Sequence, residues 1–340
     1  ISKADTMRLG NRLLSMDFGV CPTMFDYCLA MALLYFKEQK CDVVILETGL
    51  GGTYDSTNAC GVPDVTVIAK IGFDHMAILG DTLAKIAAEK AGIIKRGTAL
   101  VLESQEKEAM DVLNKAAERA DIKTTKVVNL DEIRILPQKD GKQCFSYAGY
   151  DAVTMKMLGV HQYENAVAAM LAAELFFEKY FAGKKSVPER KALQHAIREG
   201  IDRTQWMGRM ELVSNDPFFL MDGAHNSNGV EALKKSLETM YPDEKFHFIM
   251  GVMADKDYGE MIRELLPLAL DFKTVTVESE RALQGEALAD CIRAKGIPAE
   301  AYRNLEDVLP DFSKSSAEKT VAFGSLYFIG EIEAFLRGKQ

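Results

Sequence analysis

Residues 218–226, Phe218-Phe219-Leu220-Met221-Asp222-Gly223-Ala224-His225-Asn226, decide the fold of the C-terminal part of this 340-residue chain. Four consecutive apolar residues predict a buried strand, and a helix is predicted directly afterwards, over residues 229–240. Strand, polar loop and helix in this order form the unit of a doubly wound α/β sheet, in which ligands gather at the carboxyl ends of the strands. The loop therefore lies where helix N-terminal amides favour an anion such as a phosphate or a carboxylate.

The same alternation continues to the end of the chain. Strands are predicted at 246–252, 274–277, 300–302 and 320–323, and helices at 258–268, 282–294 and 326–336. These elements predict a doubly wound, Rossmann-like domain over residues 206–340.

The N-terminal half begins with a similar rhythm. A nearly continuous apolar run at 27–37 predicts a buried helix, and the β-branched run at 42–47 predicts a strand that ends before Gly49-Leu50-Gly51-Gly52. Further strands are predicted at 65–71 and 98–102, and helices at 81–90 and 106–120. Runs at 126–129, 133–136 and 144–158 then predict an antiparallel appendage, and helices at 165–181 and 189–200 complete a domain predicted over residues 1–205.

Charge and composition exclude several classes of protein. The net charge of -9 argues against a nucleic-acid partner, because binding to a phosphate backbone requires concentrated positive charge. No apolar run approaches the roughly 18 residues that cross a membrane. The 6 cysteines form no CxxC pair and no zinc-type spacing, which indicates reduced, structural thiols in a cytoplasmic protein.

Two polar residues directly follow predicted strands in the N-terminal half. Glu47 ends an apolar run, and His75 ends the segment Gly72-Phe73-Asp74-His75. Together they could hold a divalent cation over a phosphate, whereas each alone is also consistent with a solvated strand end or a satisfied loop histidine. Magnesium prefers oxygen ligands, so a histidine at this place would also admit manganese.

Lys90 lies on the apolar side of a predicted helix, since Leu83, Ile86, Ala87 and Lys90 share one helical face. Partial desolvation favours the neutral form of an amine, and only the neutral amine reacts with carbon dioxide. Lys90 is therefore a candidate for a carbamylated lysine. The alternative is a buried stem whose charged head reaches water.

Five segments follow one another in an order typical of one enzyme family. They are Leu46-Glu47-Thr48-Gly49-Leu50-Gly51-Gly52 with Asp55-Ser56-Thr57-Asn58; Ile71-Gly72-Phe73-Asp74-His75 through Glu89-Lys90-Ala91-Gly92-Ile93-Ile94-Lys95; Gly159-Val160-His161-Gln162 with Asn165-Ala166; Gly208-Arg209 with Asp222-Gly223-Ala224-His225-Asn226; and Gly324-Ser325-Leu326-Tyr327-Phe328-Ile329-Gly330-Glu331. Together they resemble the folylpolyglutamate synthase and dihydrofolate synthase family of the Mur ligase superfamily.

The resemblance implies an α/β, Mur-ligase-like fold. An incomplete central P-loop-type ATPase and folate-binding domain over 1–205 is followed by a C-terminal, glutamate-binding, Rossmann-like domain over 206–340. The implied enzyme is an ATP-dependent ligase and a monomer. It moves the γ-phosphate of ATP to a carboxylate of folate or dihydropteroate, and the amine of L-glutamate then attacks the acyl phosphate. Such phosphoryl transfer depends mainly on positioning and charge neutralisation.

The resemblance also implies roles for individual residues. The implied magnesium ligands are Glu47 and His75. The implied catalytic groups are Lys90, as the carbamylated lysine that supports a magnesium site, and His225. The implied ATP contacts are Asn165, Arg209, Asp222, His225 and Lys256. The implied glutamate contacts are His225 and Ser325, which face the incoming amino acid, and the implied folate contacts are Thr23, Phe25 and Asp55.

Two departures from the family pattern concern substrate and activity. Asp26 stands where a glutamate is usual, and Thr53-Tyr54 stands where Arg-Leu is common, so the choice of pterin substrate stays open. The family's first strand and its Gly-Lys-Ser/Thr loop, which wraps the ATP phosphates, have no counterpart in this sequence. We therefore expect the chain alone to be a poor ligase or inactive.

Two alternatives stay open from the sequence. One is a catalytically inactive protein that binds folate or nucleotide, and the other is a Mur-superfamily ligase that acts on cell-wall precursors. A dinucleotide oxidoreductase is disfavoured, because no GxGxxG motif follows a first strand.

Overall fold

The computed structural model describes residues 1–139, 141–184 and 187–338. The chain folds into two compact units. The first comprises Ile1–Val128 and Leu171–Gly183, and the second comprises Asn129–Met170 and Lys184–Gln340. Within the described residues, no helix is both long enough and apolar enough to cross a membrane.

The first unit is built on a three-stranded parallel sheet. Its helices are α1 (Lys3–Leu14), α2 (Met24–Gln39), α3 (Met76–Leu79), α4 (Leu83–Ala91) and α5 (Lys107–Arg119), and its strands, in the spatial order β1-β2-β3, are β1 (Val65–Ile68), β2 (Ala99–Leu102) and β3 (Thr125–Val127). Leu100 and Leu102 of β2 pack in one core with Ile86 of α4 and Leu113 of α5. The strands predicted at 65–71 and 98–102 and the helices predicted at 81–90 and 106–120 are thus confirmed, apart from their ends.

Three predictions for the first unit are wrong. Residues 42–47 do not form a strand, and Val43, Val44, Ile45 and Leu46 are 51%, 42%, 90% and 38% exposed. A run of β-branched residues favours a strand, because such side chains pack well on a sheet. A strand also needs a neighbouring strand to pair with its backbone hydrogen-bonding groups, and the sequence pattern does not show whether one is present. The helix α2 forms as predicted but contains no buried residue. The segment at 126–129 does not belong to an antiparallel appendage, because β3 pairs parallel with β2.

The second unit begins with the predicted antiparallel appendage. The strands β4 (Arg134–Lys139), β5 (Lys142–Tyr147) and β6 (Tyr150–Met155) form a meander in that order, followed by the helices α6 (His161–Phe181) and α7 (Arg190–Arg203). Helix α6 runs on into the first unit, since Leu171–Gly183 belongs to that unit.

A six-stranded sheet forms the rest of the second unit. Along the chain its elements are β7 (Glu211–Asn215), β8 (Phe218–Met221), α8 (Ser227–Met240), β9 (Phe246–Met250), α9 (Tyr258–Leu265), β10 (Ala269–Val275), α10 (Gly285–Arg293), β11 (Ala299–Tyr302), β12 (Lys319–Phe323) and α11 (Leu326–Gly338). The spatial order is β11-β10-β9-β12-β8-β7, and every neighbouring pair is parallel except β7 with β8. The antiparallel edge strand β7 is an element that the sequence analysis missed.

Both faces of this sheet are covered. On one face Phe248 and Phe272 pack with apolar side chains of α8, α9 and α10, and on the other Phe219 and Ile249 pack with Phe328 of α11. Strands that are apolar on both faces require helices on both faces. The predicted doubly wound, Rossmann-like arrangement is confirmed.

Candidate functional site

A small cleft in the first unit lies beside the glycine-rich loop after residue 47. Its volume is about 120 Å³, and it is lined by Thr48, Gly49, Leu50, Gly51, Gly72, Asp74, His75, Leu79, Ile86 and Lys90. The structure therefore brings together three stretches that are distant in sequence: the glycine loop, the segment after β1 and the helix α4. The strand-end argument predicts a ligand at these residues, although among the residues that the structure describes no strand precedes the glycine loop.

The glycine loop lies directly on the C-terminal end of α4. A Cβ atom at Gly52 would lie 2.7 Å from the carbonyl oxygen of Glu89, and one at Gly92 would lie 2.3 Å from Thr53 Oγ1. The amide and the hydroxyl of Thr53 both donate to the Glu89 carbonyl, at 2.9 and 3.1 Å. Glycine is thus required on both sides of this contact, because any side chain would separate the loop from the helix.

Lys90 reaches the cleft from α4, whose N-terminus is capped by Thr82. Its side chain is partly buried, and the apolar side chains of Ile86 and Leu79 line the same cleft. The predicted placement of the amine on the apolar stripe of the helix is confirmed. Carbamylation of this amine stays a prediction.

His75 and Glu47 differ in their relation to the cleft. His75 lines it, has a left-handed backbone (φ 49°) and lies 3.9 Å from Asp74 through its Nε2 atom. Glu47 is exposed and is not among the lining residues, although its neighbour Thr48 is. Within the part of the chain that the structure describes, no three His, Cys, Asp or Glu side chains converge as metal ligands. The metal role of this pair stays a prediction.

Phe25 and Asp55, two of the predicted folate residues, lie next to the same loop. A Cβ atom at Gly49 would lie 2.8 Å from the ring of Phe25, which is 41% exposed, and 3.2 Å from Asp55 Oδ2. Thr23 caps α2 in a reciprocal pair with Asp26, and Asp26 Oδ1 accepts a 2.5 Å hydrogen bond from the hydroxyl of Ser56. An aromatic ring therefore stands beside the loop and two carboxylates.

Asp55 holds this arrangement by its hydrogen bonds. Its Oδ2 accepts from the amides of Gly49 and Leu50, both at 2.9 Å, and its Oδ1 accepts from the amide of Thr57 at 3.0 Å. Partial burial raises the pKa of Asp55, but hydrogen bonds from Thr57 and these amides outweigh it, so the pKa lies below its ordinary value. The carboxylate is therefore ionised at neutral pH and already engaged by the protein.

In the second unit, the predicted residues gather at the carboxyl ends of β8 and β12. Asp222 follows β8, is 7% exposed, and accepts hydrogen bonds from the amides of Met210 and Ala224, both at 2.8 Å. Burial raises the pKa of Asp222 to about 6, against the opposing effect of these amides and of Arg209. A carboxylate buried in this way fixes the turn at Met210 against the loop after β8.

His225 and Ser325 occupy neighbouring strand ends, after β8 and β12. The Nδ1 atom of His225 donates to the carbonyl of Gly223 at 2.9 Å, so in neutral His225 the lone pair lies on Nε2. Ser325 is 3% exposed, and its hydroxyl accepts from the amide of Tyr327 at 3.1 Å at the start of α11. Close contacts hold the two loops together, since a Cβ atom at Gly223 would lie 2.4 Å from Leu326.

Two further residues near Arg209 escaped the sequence analysis as site residues. His161 Nε2 lies 3.1 Å from Gln162 Nε2, and Gln162 Oε1 accepts from Asn165 Nδ2 at 3.0 Å. Burial and then the charge of Arg209 lower the pKa of His161 to about 4, and its Nδ1 atom is buried without a hydrogen-bond partner in the described structure. His161 is thus connected to Asn165 through Gln162 and senses the charge of Arg209; Asn165 and Arg209 are two of the predicted ATP contacts. The signal that could have found it is its place in the motif Gly159-Val160-His161-Gln162.

Lys256 lies in the loop after β9, and its amide donates to the carbonyl of Met253 at 3.2 Å. Its neighbour Asp255 forms a two-pronged ion pair with Arg281, with both oxygens at 2.9 Å. Lys256 therefore lies at the same edge of the sheet as Asp222 and Ser325, as predicted for a phosphate contact, and its role stays a prediction.

The chain matches two domain families and several characterised relatives. The Mur ligase middle domain matches residues 20–173, and the glutamate ligase domain of Mur ligases matches residues 208–323. A dihydrofolate synthase/folylpolyglutamate synthase of Bacillus subtilis is 35% identical over 328 residues, which cover 93% of this chain and 73% of that protein.

Solved structures give the same result. A folylpolyglutamate synthase of Thermotoga maritima superposes with a TM-score of 0.80 at 27% identity and covers 100% of this chain and 77% of its own. A folylpolyglutamate synthase of Mycobacterium tuberculosis, complexed with ADP and AMPPCP, superposes with a TM-score of 0.81 at 27% identity, over 98% of this chain and 79% of its own.

Proposed function

Since the chain belongs to the dihydrofolate synthase/folylpolyglutamate synthase family of Mur ligases, we propose that it joins L-glutamate to a folate or dihydropteroate carboxylate at the expense of ATP. The observation that carries the proposal is the cleft in which the glycine loop, His75 and Lys90 meet. The proposal places phosphate transfer at this cleft, and the M. tuberculosis relative, which is complexed with ADP and AMPPCP, supports ATP as the phosphate donor.

Lys90 is the proposed carbamylated lysine of this cleft. The neutral amine attacks carbon dioxide, a nitrogen–carbon bond forms, and the proton leaves to water. The partly buried position of Lys90 in the cleft, beside Ile86 and Leu79, is the observation that supports this. The product is an anion that replaces a cation next to the glycine loop.

Glu47 and His75 are the proposed magnesium ligands, with manganese as a substitute. Magnesium usually takes one or two protein ligands and completes its shell with waters and substrate phosphates. Two protein ligands are proposed here. His75 lines the cleft, and Glu47 comes one residue before the lining residue Thr48. The bound ion would neutralise charge on the transferring phosphate.

The second unit supplies the proposed contacts to ATP and glutamate. Arg209, Asn165, Asp222 and Lys256 are the proposed ATP contacts, and His225 and Ser325 the glutamate contacts. Ionised Asp222 accepts a hydrogen bond from the amide of Met210, the residue after Arg209. The backbone that carries the Arg209 guanidinium is therefore fixed. The glutamate ammonium must lose a proton before its amine can attack. Because Nδ1 of His225 donates to the carbonyl of Gly223, the proposed acceptor of that proton is Nε2 of His225.

Thr23, Phe25 and Asp55 are the proposed folate contacts. The exposed ring of Phe25 offers a flat apolar surface for the pterin or the aminobenzoate ring, which prefer stacked or edge-on aromatic neighbours. Asp55 acts mainly by holding the loop at Gly49, since its oxygens already accept several protein hydrogen bonds.

An ADP-release assay tests the function. Because the chain alone is expected to be a poor ligase, it is assayed joined to an N-terminal segment that carries a Gly-Lys-Ser/Thr loop. This protein is incubated with ATP, magnesium and glutamate, and either dihydropteroate or tetrahydrofolate is added. We expect ADP release that requires both glutamate and a pterin carboxylate, with one more glutamate on the product by mass. ADP release that requires a UDP-linked cell-wall precursor instead, or folate binding without any ligation, would overturn the proposal.

Three broader properties are proposed with the function. The partners are small molecules and not nucleic acid, since the net charge is -9. The enzyme acts as a monomer in the cytoplasm. Its ATPase and folate-binding part spans 1–205 and its glutamate-binding part spans 206–340.

A further inference from the structure

A short 3₁₀ helix over Ser56–Cys60 stands at the centre of the contacts around the glycine loop. At its N-terminus Asp55 accepts from the amides of Gly49 and Leu50, two residues that line the cleft. At its first residue, Ser56 donates to Asp26 of α2. Any movement of this short helix therefore moves one wall of the cleft.

Two half-buried side chains attach the short helix to the end of α4. The Nδ2 atom of Asn58 donates to the carbonyls of Thr53 and Gly92, at 3.1 Å each. The Nζ atom of Lys95 donates to the carbonyl of Asn58 and, at 2.7 Å, to that of Gly61. All of these hydrogen bonds run from a side chain to the backbone, so they fix the course of the chain and not the rotamer of another side chain.

Asn58 and Lys95 thereby connect the two walls of the cleft. Gly92 is the C-terminal cap of α4, the helix that carries Lys90, and Lys95 follows in the turn before β2. On the opposite wall, Asn58 holds Thr53, whose own amide donates to the carbonyl of Glu89. The distance between the glycine loop and the amine of Lys90 therefore depends on these two side chains.

We infer that Asn58 and Lys95 are positioning residues that hold the glycine loop at a working distance from Lys90, an inference that rests on the proposed ligase reaction at this cleft. Neither residue lines the cleft. Their effect on the reaction passes through the backbone of residues 49–53. Misplacement of reacting groups by about 1 Å can cost on the order of 100-fold in rate, so small changes in this attachment are expected to matter.

Hydrogen exchange tests the positioning without relying on activity. The variants are Lys95→Met, which removes the donors but keeps the stem, and Asn58→Asp, which keeps the shape but turns both donated hydrogen bonds into repulsion. We expect the amides of Gly49, Leu50 and Thr53 to exchange about tenfold faster or more in both variants. Reference amides at Leu100 and Val128, in the parallel sheet, are expected to stay unchanged.

Two further variants control for charge and fold. Lys85→Met removes an exposed lysine of the same helix α4, whose amine pairs with Asp81 at 2.7 Å, and it should leave the exchange of residues 49–53 unchanged. Lys95→Arg can still donate to two carbonyls and should restore most of the protection. Melting temperatures of all variants are measured alongside.

Kinetics test whether the position of the loop matters to the reaction. For Lys95→Met we expect kcat to fall about 10- to 100-fold, with KM for glutamate unchanged within about twofold, because the proposed glutamate contacts lie on other elements. Lys95→Arg should recover most of kcat.

Each outcome decides one of the two claims. Unchanged exchange at residues 49–53 in Lys95→Met overturns the inference, and so does faster exchange with unaltered kcat. Faster exchange at Leu100 and Val128 together with a lower melting temperature also overturns it, because the role is then merely structural. If the wild-type chain, joined to an N-terminal segment with a Gly-Lys-Ser/Thr loop, shows no ATP- and glutamate-dependent turnover, the ligase function is refuted, and with it the inference that these residues position a reaction.

Discussion

The cleft of the first unit and the strand-end cluster of the second carry the two halves of the predicted chemistry, and they are built differently. Around the cleft, His75, Lys90 and Phe25 are partly exposed and stand on loops and short helices, joined by glycine contacts and by Asp55. In the second unit, Asp222 and Ser325 are buried at the ends of strands that are themselves covered on both faces. The comparison suggests that the first site depends on a few local contacts, whereas the second is held by the fold.

The largest expected effect falls on the locally held site. Lys90→Ala should lower kcat about 100- to 1000-fold, because it removes the charged group next to the glycine loop, while leaving the melting temperature nearly unchanged. ADP release measures the rate, and Lys85→Ala on the exposed side of α4 is the matched control. Partial recovery on addition of short carboxylic acids would support the carbamate, and full activity of Lys90→Ala would remove Lys90 from the mechanism.

In the second unit, removing the charge of a site residue should alter the stability of the fold and its dependence on pH. Burial raises the pKa of Asp222 from 3.8 to about 6, so the folded protein binds the proton more tightly than the unfolded chain does. The resulting stability is present below pH 3.8 and is lost as the pH rises through 6, with a magnitude on the order of 3 kcal/mol. Asp222→Asn should remove this loss. Urea unfolding at several pH values measures the free energy of unfolding. If this free energy depended on pH between 4 and 6 in the same way in Asp222→Asn and in the wild type, Asp222 would titrate normally.

His161 should act in the opposite direction over an overlapping range. Burial lowers its pKa from 6.5 to about 4, so its contribution is present above pH 6.5 and is lost as the pH falls through 4. The expected size is on the order of 3 kcal/mol. His161→Asn should make the protein less sensitive to acid, and exposed His195→Asn is the control. Because the two contributions oppose each other between pH 4 and 6, each single variant should depend on pH more steeply than the wild type, in opposite directions. The double variant with Asp222→Asn should show little dependence, and a persistent slope there would point to other titrating groups.

The smallest expected effect concerns the cap of α11. Ser325→Ala removes the acceptor for the Tyr327 amide and should cost about 1 kcal/mol of unfolding free energy. It should also raise KM for glutamate. Thr239→Ala, on the exposed face of α8, should change neither quantity. If Ser325→Ala changed stability but not KM, Ser325 would be a structural cap and not a substrate contact.

Much of the second unit could be predicted because its signals are local. The strand at 218–221, the helix after it and the alternation up to α11 follow from apolar runs separated by turn residues, and they agree with the structure. The edge strand β7 was missed because Glu211–Asn215 has only two apolar residues, as an exposed edge allows. In the first unit, the helical spacing of Ile86 and Lys90 correctly placed the amine on the apolar side of α4.

By itself, the sequence determined the family and the order of most elements, since these depend on neighbours along the chain. Only the tertiary structure decided that residues 43–46 lie exposed outside the sheet, that β3 joins β2 in parallel, and that the partly buried His161 senses the charge of Arg209. It also decided that Asn58 and Lys95 hold the glycine loop against α4. Strand pairing, burial and side-chain-to-backbone hydrogen bonds join residues that are far apart in sequence, so no local pattern contains them.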